Sequence, residues 1–384
     1  MSFRDFMVLT RPEYLPKLLD EIKASKVSTR QLENNLNYFI LQKSDGPQIA
    51  FLSFEDAGGI NYFLASSLRK LGYRALSLRC RDNYIHYPTD IDIFHSDTLE
   101  QKIRSEAAEN YVLQSDVVVI DTTFGIPPSG AYFFNINRNK ILNDFPDEKI
   151  VVFYHKGTTY RLNFPQMDEV IDRFPCKTLR LVSTIDLLQC NEKNRWLPNP
   201  IDVEWILKHF PRREKEDDVI RIVHSPTHRH NFGTNAIIKT VKKLQEKYKN
   251  VQLLLVERVS WYQSLFIKSA ADIVVGRVNH SLPAADNKIY MDYSLAALEA
   301  GVYSLPCINN VPQQNLEYLR KHENIDKLPI VLADEKSLFK ALEYLIEDEK
   351  ARKEYGAALH KYVLKVHNAP VTARRFIRYI EEVL

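Results

Sequence analysis

Twice along this chain, a short apolar run, a turn and an amphipathic stretch follow one another and lead into a further apolar run. The first instance is IAFLSF (49–54), EDAGG, NYFLASSLRKLG and RALSLRC (74–80). Apolar runs too short for helices, separated by a helix-period stretch closed by Gly72, read as a βαβ unit. Its right-handed crossover makes the two strands parallel. DVVVID (116–121), KIVVFYH (149–155) and TLRLVST (178–184) supply further strands. WLPNPID (196–202) sets two prolines around an asparagine and reads as a hinge. The pattern then restarts with VIRIVHS, NAIIKTVKKLQEKY, VQLLLVE, WYQSLFIKSA, DIVVGRV, MDYSLAALEAG and YSLPCI.

Alternation of this kind predicts an α/β protein with two Rossmann-like domains facing across a cleft. Residues 12–42 carry apolar side chains at helical spacing, which predicts an N-terminal helical extension over 1–46. The first Rossmann-like domain is expected over 47–198 and the second over 199–365. A C-terminal helix follows over 366–384, free to pack back on the first domain.

Composition narrows the class. Apolar residues make up 45% of the 384, enough for two cores, and the net charge is only +3. Near-balance gives no broad field for nucleic acid, so no nucleic-acid partner is expected. The four cysteines are scattered without metal spacing, as in a reducing compartment. No basic-then-apolar leader and no apolar run of about 18 residues occurs. The expectation is a cytoplasmic protein, with peripheral contact at the inner face of a membrane left open.

Two stretches carry chemistry. SPTHRHNFGT (225–234) lies between a strand and a helix, where α/β folds bind anions. MDYSLAALEAG (291–301) starts a helix near Tyr293 and Ser294, whose free amides and dipole favour a diphosphate. Glu299, on the second turn, is placed to accept hydrogen bonds from a ribose diol. The bland reading is a helix capped by Asp292 or Ser294, with Glu299 merely exposed. No GxSxG and no GxxxxGK[ST] occurs, which leaves serine-hydrolase and P-loop chemistry without a foothold.

The order LPNPID, strand–PTHR–x4–GT–helix, LLLVE, AADIVV and SLAALEAGVYSLPCI resembles the carboxyl half of the retaining GT-B glycosyltransferases. EDAGGINYFLASSLRKLGY and YHKGTTYR (154–161) resemble their early glycine turn and their "H-G-s-x-x-R" segment. The likeness covers roughly residues 47–310. It implies a glycosyltransferase moving a sugar from a UDP- or GDP-sugar to a hydroxyl acceptor, with retention and without metal or other cofactor. The setting would be glycan, polysaccharide or glycolipid synthesis, and the acceptor a glycan, a lipid-linked molecule or a protein.

Carried over residue by residue, Glu299 meets the donor ribose and the amides of Tyr293 and Ser294 meet the diphosphate. Gly58 and Gly59 approach the donor phosphates, and glycine allows the positive φ such a turn needs. Arg229 neutralises the leaving diphosphate, with Thr227, His230 and Gly233 on the same loop. Glu257 lies near the nucleotide base. His155 or Lys156 fills the position of the family's catalytic histidine, depending on a one-residue shift of alignment.

The departures are specific. Phe232 replaces the family's lysine before Gly-Thr, and Met291 replaces the first glutamate of its Glu-x7-Glu pair. Two alternatives therefore stand beside the transferase reading: a non-catalytic subunit or scaffold of this fold that binds nucleotide or glycan, and a nucleotide-sugar epimerase. Asp90-Ile91-Asp92 reads as the Asp-x-Asp metal pair of the other large glycosyltransferase architecture. It follows a turn-rich stretch rather than a strand, so no metal ligands are assigned.

Overall fold

The computed structural model describes residues 46–92, 108, 110–121, 149–174, 176–279, 284–288 and 291–384. The expected N-terminal extension lies outside them. The chain divides into two compact units, with cuts at 200/201 and 368/369.

The first unit holds the described residues up to Pro200, 284–288 and Ala369–Leu384. Its strands are β1 (Gln48–Ser53), β2 (Arg74–Arg79), β3 (Ile91–Asp92), β4 (Val117–Asp121), β5 (Ile150–His155), β6 (Lys177–Val182) and β7 (Arg195–Trp196). All pair in parallel, in the order β3-β2-β1-β4-β5-β6-β7. Every residue of β1, β4 and β5 is buried, as strands covered on both faces require. Helix α1 (Ile60–Lys70) follows β1, and α2 (Gly157–Asp172) follows β5. The last helix of the chain, Ala369–Glu381, buries Ala369, Thr372, Ala373, Phe376, Ile377 and Ile380 at helical spacing. Phe376 meets Phe51 of β1 with ring centroids 5.5 Å apart.

The second unit holds the described residues between Ile201 and Asn368, apart from 284–288. It contains α3 (Val203–His209), β8 (Ile220–His224), α4 (Thr234–Lys247), β9 (Val251–Leu255), α5 (Trp261–Lys268), β10 (Ile273–Val275), α6 (Leu295–Val302) and β11 (Cys307–Asn309). Then come α7 (Gln313–Glu323), β12 (Val331–Leu332), α8 (Leu338–Glu347) and α9 (Glu349–Tyr362). The sheet is parallel, in the order β12-β11-β10-β8-β9. Its core joins Ile222, Ile237, Val241, Leu253, Ile273, Val275 and Leu342.

Strand order reverses between β1 and β4 in the first sheet and between β8 and β10 in the second. A reversal of this kind is the place where open α/β sheets bind ligands.

Candidate functional site

The site candidates fall into two groups, one in each unit. In the first unit, Gly58 (φ 85°) and Gly59 (φ 62°) both adopt left-handed backbone, as their turn requires. Asp56, also left-handed at φ 41°, starts the turn. Its carboxylate accepts from the amides of Asn61 (3.0 Å) and Tyr62 (3.1 Å) and so holds the first turn of α1. Lys156 Nζ lies 3.3 Å from Asp56 Oδ1, 2.5 Å from Asp121 Oδ2 and 3.3 Å from Asn61 Oδ1. The group is buried and sits at the switch point of the sheet: Asp56 follows β1, Asp121 ends β4 and Lys156 follows β5. Burial pushes the Asp56 carboxyl above its ordinary range, against the pull of Lys156.

His155 is placed differently from a catalytic imidazole. It is fully buried, its ring stacked on Tyr160 at 3.7 Å. Burial and the charge of Arg180 hold it neutral, well below the usual histidine range. Of the two residues that compete for the histidine position, Lys156 is the one that reaches the glycine turn.

In the second unit, the loop after β8 exposes Thr227, His228, Arg229 and His230, with Arg229–Phe232 forming a single helical turn. Gly233 then adopts φ 73° and starts α4. A Cβ there would lie 2.7 Å from Val278 Cγ2, so both backbone and space demand glycine. His224, ending β8, pins the base of the loop: Nδ1 meets the Val275 carbonyl at 2.8 Å and Nε2 meets Thr234 Oγ1 at 2.9 Å. Arg229 pairs with Glu257 in the loop after β9.

The amides of Tyr293 and Ser294, expected to face a diphosphate, are both occupied. Tyr293 N–H donates to Asp292 Oδ1 at 2.8 Å, and Ser294 N–H to Asn309 Oδ1 at 3.3 Å. The Tyr293 side chain is buried, with its hydroxyl 2.7 Å from that of Tyr362 and 2.8 Å from His367 Nε2. The helix-start donors consequently move one residue on, to Leu295 and Ala296, the first amides without an intrahelical acceptor.

Glu299 is buried rather than open. Its Oε1 accepts from Trp261 Nε1 at 2.7 Å, and its Oε2 lies 2.6 Å from Lys268 Nζ. One further acceptor position remains on each oxygen. Met291 is buried and gives its carbonyl to Asn315 Nδ2 at 2.9 Å. In the first unit, Asp90 binds Arg69 through two contacts of 2.8 Å, and Asp92 binds Arg79 at 2.7 and 3.0 Å. Each aspartate of the Asp-x-Asp pair is thus matched with its own arginine.

Sequence reasoning passed over Asp56, Asp121, Trp261, Lys268 and Asn309. Asp56 was visible as an acid before two glycines. The others act through contacts between elements far apart in sequence, for which the chain carries no local signal.

No family model matches the sequence, and no curated protein does. Solved structures do. An α-glucosyltransferase solved with UDP and a 13-mer DNA containing an HMU base aligns with a TM-score of 0.61 at 10% identity, over 88% of this chain and 100% of that one. Sucrose-phosphate synthase of Thermosynechococcus elongatus gives 0.54 at 13% identity, over 88% and 99%. The HepE protein of Anabaena, solved with UDP-glucose, gives 0.54 at 11%, over 88% and 100%. Likenesses at such low identity speak for architecture, and they agree with the two parallel sheets and their strand orders: the chain has the fold of the GT-B glycosyltransferases.

Proposed function

We propose that this chain is a glycosyltransferase that moves a sugar from a nucleoside-diphosphate sugar to a hydroxyl acceptor. One observation carries the reading: the loop with Arg229 and the start of α6 both stand at the carboxyl edge of the second sheet, where its strand order reverses. The loops that carry this arginine and this helix start follow the two strands bordering the reversal, in a fold two of whose solved neighbours carry UDP or UDP-glucose.

In the transfer, the bond from the anomeric carbon to the diphosphate oxygen breaks while the acceptor oxygen forms the new one and gives up its proton to the departing diphosphate. The diphosphate departs with negative charge, and the anomeric carbon gains positive charge. Arg229 and the Leu295 and Ala296 amides would stabilise the departing anion. In the proposed scheme this charge is neutralised by protein cations and amides, with no part assigned to a metal, and the sugar configuration is retained. Glu299, fixed by Trp261 and Lys268, would offer its remaining acceptor positions to the ribose. The donor base is proposed to be uracil, as in those neighbours. The acceptor is left at the level of a hydroxyl. The α-glucosyltransferase neighbour carries DNA, so near-balanced charge is no ground for setting nucleic acid aside. Among the described residues no helix is long and apolar enough to cross a membrane.

The Arg229–Glu257 pair and Phe232 favour one second reading, a protein of this fold that binds nucleotide without turnover. Thermal unfolding and calorimetry with UDP, GDP and UDP-glucose, followed by assay of UDP-glucose consumption, test both. The transferase reading expects binding of a nucleoside diphosphate and loss of the donor sugar. Binding without consumption supports the second reading, and no binding at all overturns both.

A further inference from the structure

We propose that the second unit carries, beside the last turn of α7, a binding site for a small organic anion with an aliphatic body. The site stands apart from the donor reading, because its residues lie on α7, on the chain between α7 and β12, on β12 and on α9. A cavity of about 330 Å³ opens there. That volume is at the lower end of the range for small-molecule pockets. At about 30 Å³ for a group of water size, it has room for about eleven such groups, which suits a carboxylate on a chain of about eight carbons.

The sequence builds the cavity from one helical and one extended stretch. Leu316, Leu319 and Arg320 recur at helical spacing, so α7 presents all three to the same wall. Asn324 then adopts φ 54° and ends α7, and Ile325 N–H donates back to the Leu319 carbonyl at 3.2 Å. The chain is thereby turned across the end of the helix. Ile325, Leu328 and Ile330 are buried as it runs into β12. Leu332 closes β12, the edge strand of the sheet, and is 46% exposed where it lines the cavity. A lone exposed leucine is ordinary, whereas this one continues an aliphatic lining. Tyr355 of α9 completes the wall with an aromatic ring.

Charge selects the occupant. The ionic side chains of the lining are Arg320, Asp326 and Lys327, and all of them are exposed. Two cations against one carboxylate leave a positive excess at the mouth. Neither the Arg320 guanidinium nor the Lys327 ammonium has an ion-pair or hydrogen-bond partner among the described residues. Lys327 Nζ instead stands 5.8 Å from the centroid of the Tyr355 ring. A cation in the last turn of a helix suits its carbonyl end, which accounts for Arg320 alone. Lys327 lies beyond the helix, with its ammonium over an aromatic wall of the cavity. A neutral apolar ligand would leave both cations unused, and a cationic one would add to the excess. A monoanion sets its chain against the leucines and isoleucines and its carboxylate at the cationic mouth.

The test is calorimetry of the full chain at pH 7 with octanoate, octylammonium and 1-octanol. Octanoate should bind with a dissociation constant of about 1 mM or tighter, as a ligand of about ten non-hydrogen atoms allows. Octylammonium should bind at least about tenfold more weakly. Arg320→Gln removes one cation and should cost octanoate about tenfold, as for a lost charged hydrogen bond, while 1-octanol affinity stays within about twofold. Leu332→Asp sets a carboxylate on the lining and should also cost octanoate about tenfold or more. No octanoate binding at about 10 mM overturns the proposal. Octylammonium binding as tight as that of octanoate overturns it too, because the site then has no preference for an anion. Octanoate affinity within about twofold of the unaltered protein in either variant places the ligand elsewhere and has the same consequence. Equal losses of octanoate and 1-octanol in Arg320→Gln also overturn it, because they mark a structural role. Both substituted side chains are exposed, and should one variant not fold, the other carries the test.

Discussion

Arg229 and Glu257 form a two-point ion pair, Nε to Oε1 at 2.8 Å and Nη2 to Oε2 at 2.5 Å, between the loops that follow β8 and β9. The Arg229 side chain is 45% exposed, so solvent screens the pair and its share of stability is at most about 1 kcal/mol. Arg229→Ala should therefore leave the unfolding temperature nearly unchanged. The same substitution should cost about 2–4 kcal/mol of transition-state stabilisation if Arg229 swings to the departing diphosphate. Glu257→Gln frees the arginine and should tighten UDP binding severalfold in calorimetry. Weaker binding in that variant would place Glu257 itself on the ligand, and turnover within a factor of two in Arg229→Ala would remove the arginine from the site.

The pairing shows how far the sequence could be read. Strands, turns and helices follow local patterns, so SPTHRHNFGT is legible as a loop between strand and helix, and the two glycines as a left-handed turn. Partners are another matter. Arg229 stands 28 residues from Glu257, Trp261 38 from Glu299, and Lys156 100 from Asp56. Nothing local announces those contacts, because strand order and not chain order decides which loops meet. Tyr293 and Ser294 show the same limit at short range. Their position at a helix start was legible, but the side chains of Asp292 and Asn309 that consume their amides were not.

Lys156 is the cation between two fully buried carboxylates, Asp56 and Asp121. Lys156→Met should destabilise the first unit by about 3–5 kcal/mol, the usual cost of breaking a buried pair by removing one partner. Adding Asp56→Asn and Asp121→Asn should recover part of that loss in urea unfolding. The pH dependence has a definite sign. Burial raises the Asp56 carboxyl above its ordinary 3.8. The folded state therefore holds that proton more tightly, and the resulting stability is full below 3.8 and lost as pH rises through the folded value. The Lys156→Met variant should accordingly lose less stability at pH 5 than at pH 8. Equal losses at both would remove Asp56 as the group responsible.

His224 gives a pH effect of opposite sign. Burial draws its imidazole down from 6.5 to about 4, and Thr234 and the Val275 carbonyl hold the neutral ring. The unfolded chain takes up the proton first on acidification. The stability from this group is full above 6.5 and is lost as pH falls toward 4, to a total of about 3 kcal/mol. Asparagine at this position keeps a polar group on the Val275 side and cannot titrate. Urea unfolding at pH 7 and pH 5 should show a smaller loss for His224→Asn than for the unaltered protein. Parallel losses in the two proteins would rule His224 out as a source of acid sensitivity.

Glu299 and Lys268 set the conditions under which the ribose contact can be probed. Lys268 is 1% exposed, and its Nζ lies 2.5 Å from Ser264 Oγ and 2.6 Å from Glu299 Oε2. Glu299→Ala leaves that ammonium buried with no carboxylate, and the Trp261 indole loses its acceptor as well. The expected cost is about 3–5 kcal/mol, large enough to mask any change in nucleotide affinity. Glu299→Gln paired with Lys268→Met removes both charges together and keeps a carbonyl oxygen for Trp261. This double variant should unfold close to the unaltered protein. Its affinity for UDP should fall, while affinity for a diphosphate lacking ribose, such as pyrophosphate, should hold within about twofold. A double variant that binds UDP as tightly as the unaltered protein would confine Glu299 to the packing of α5 against α6.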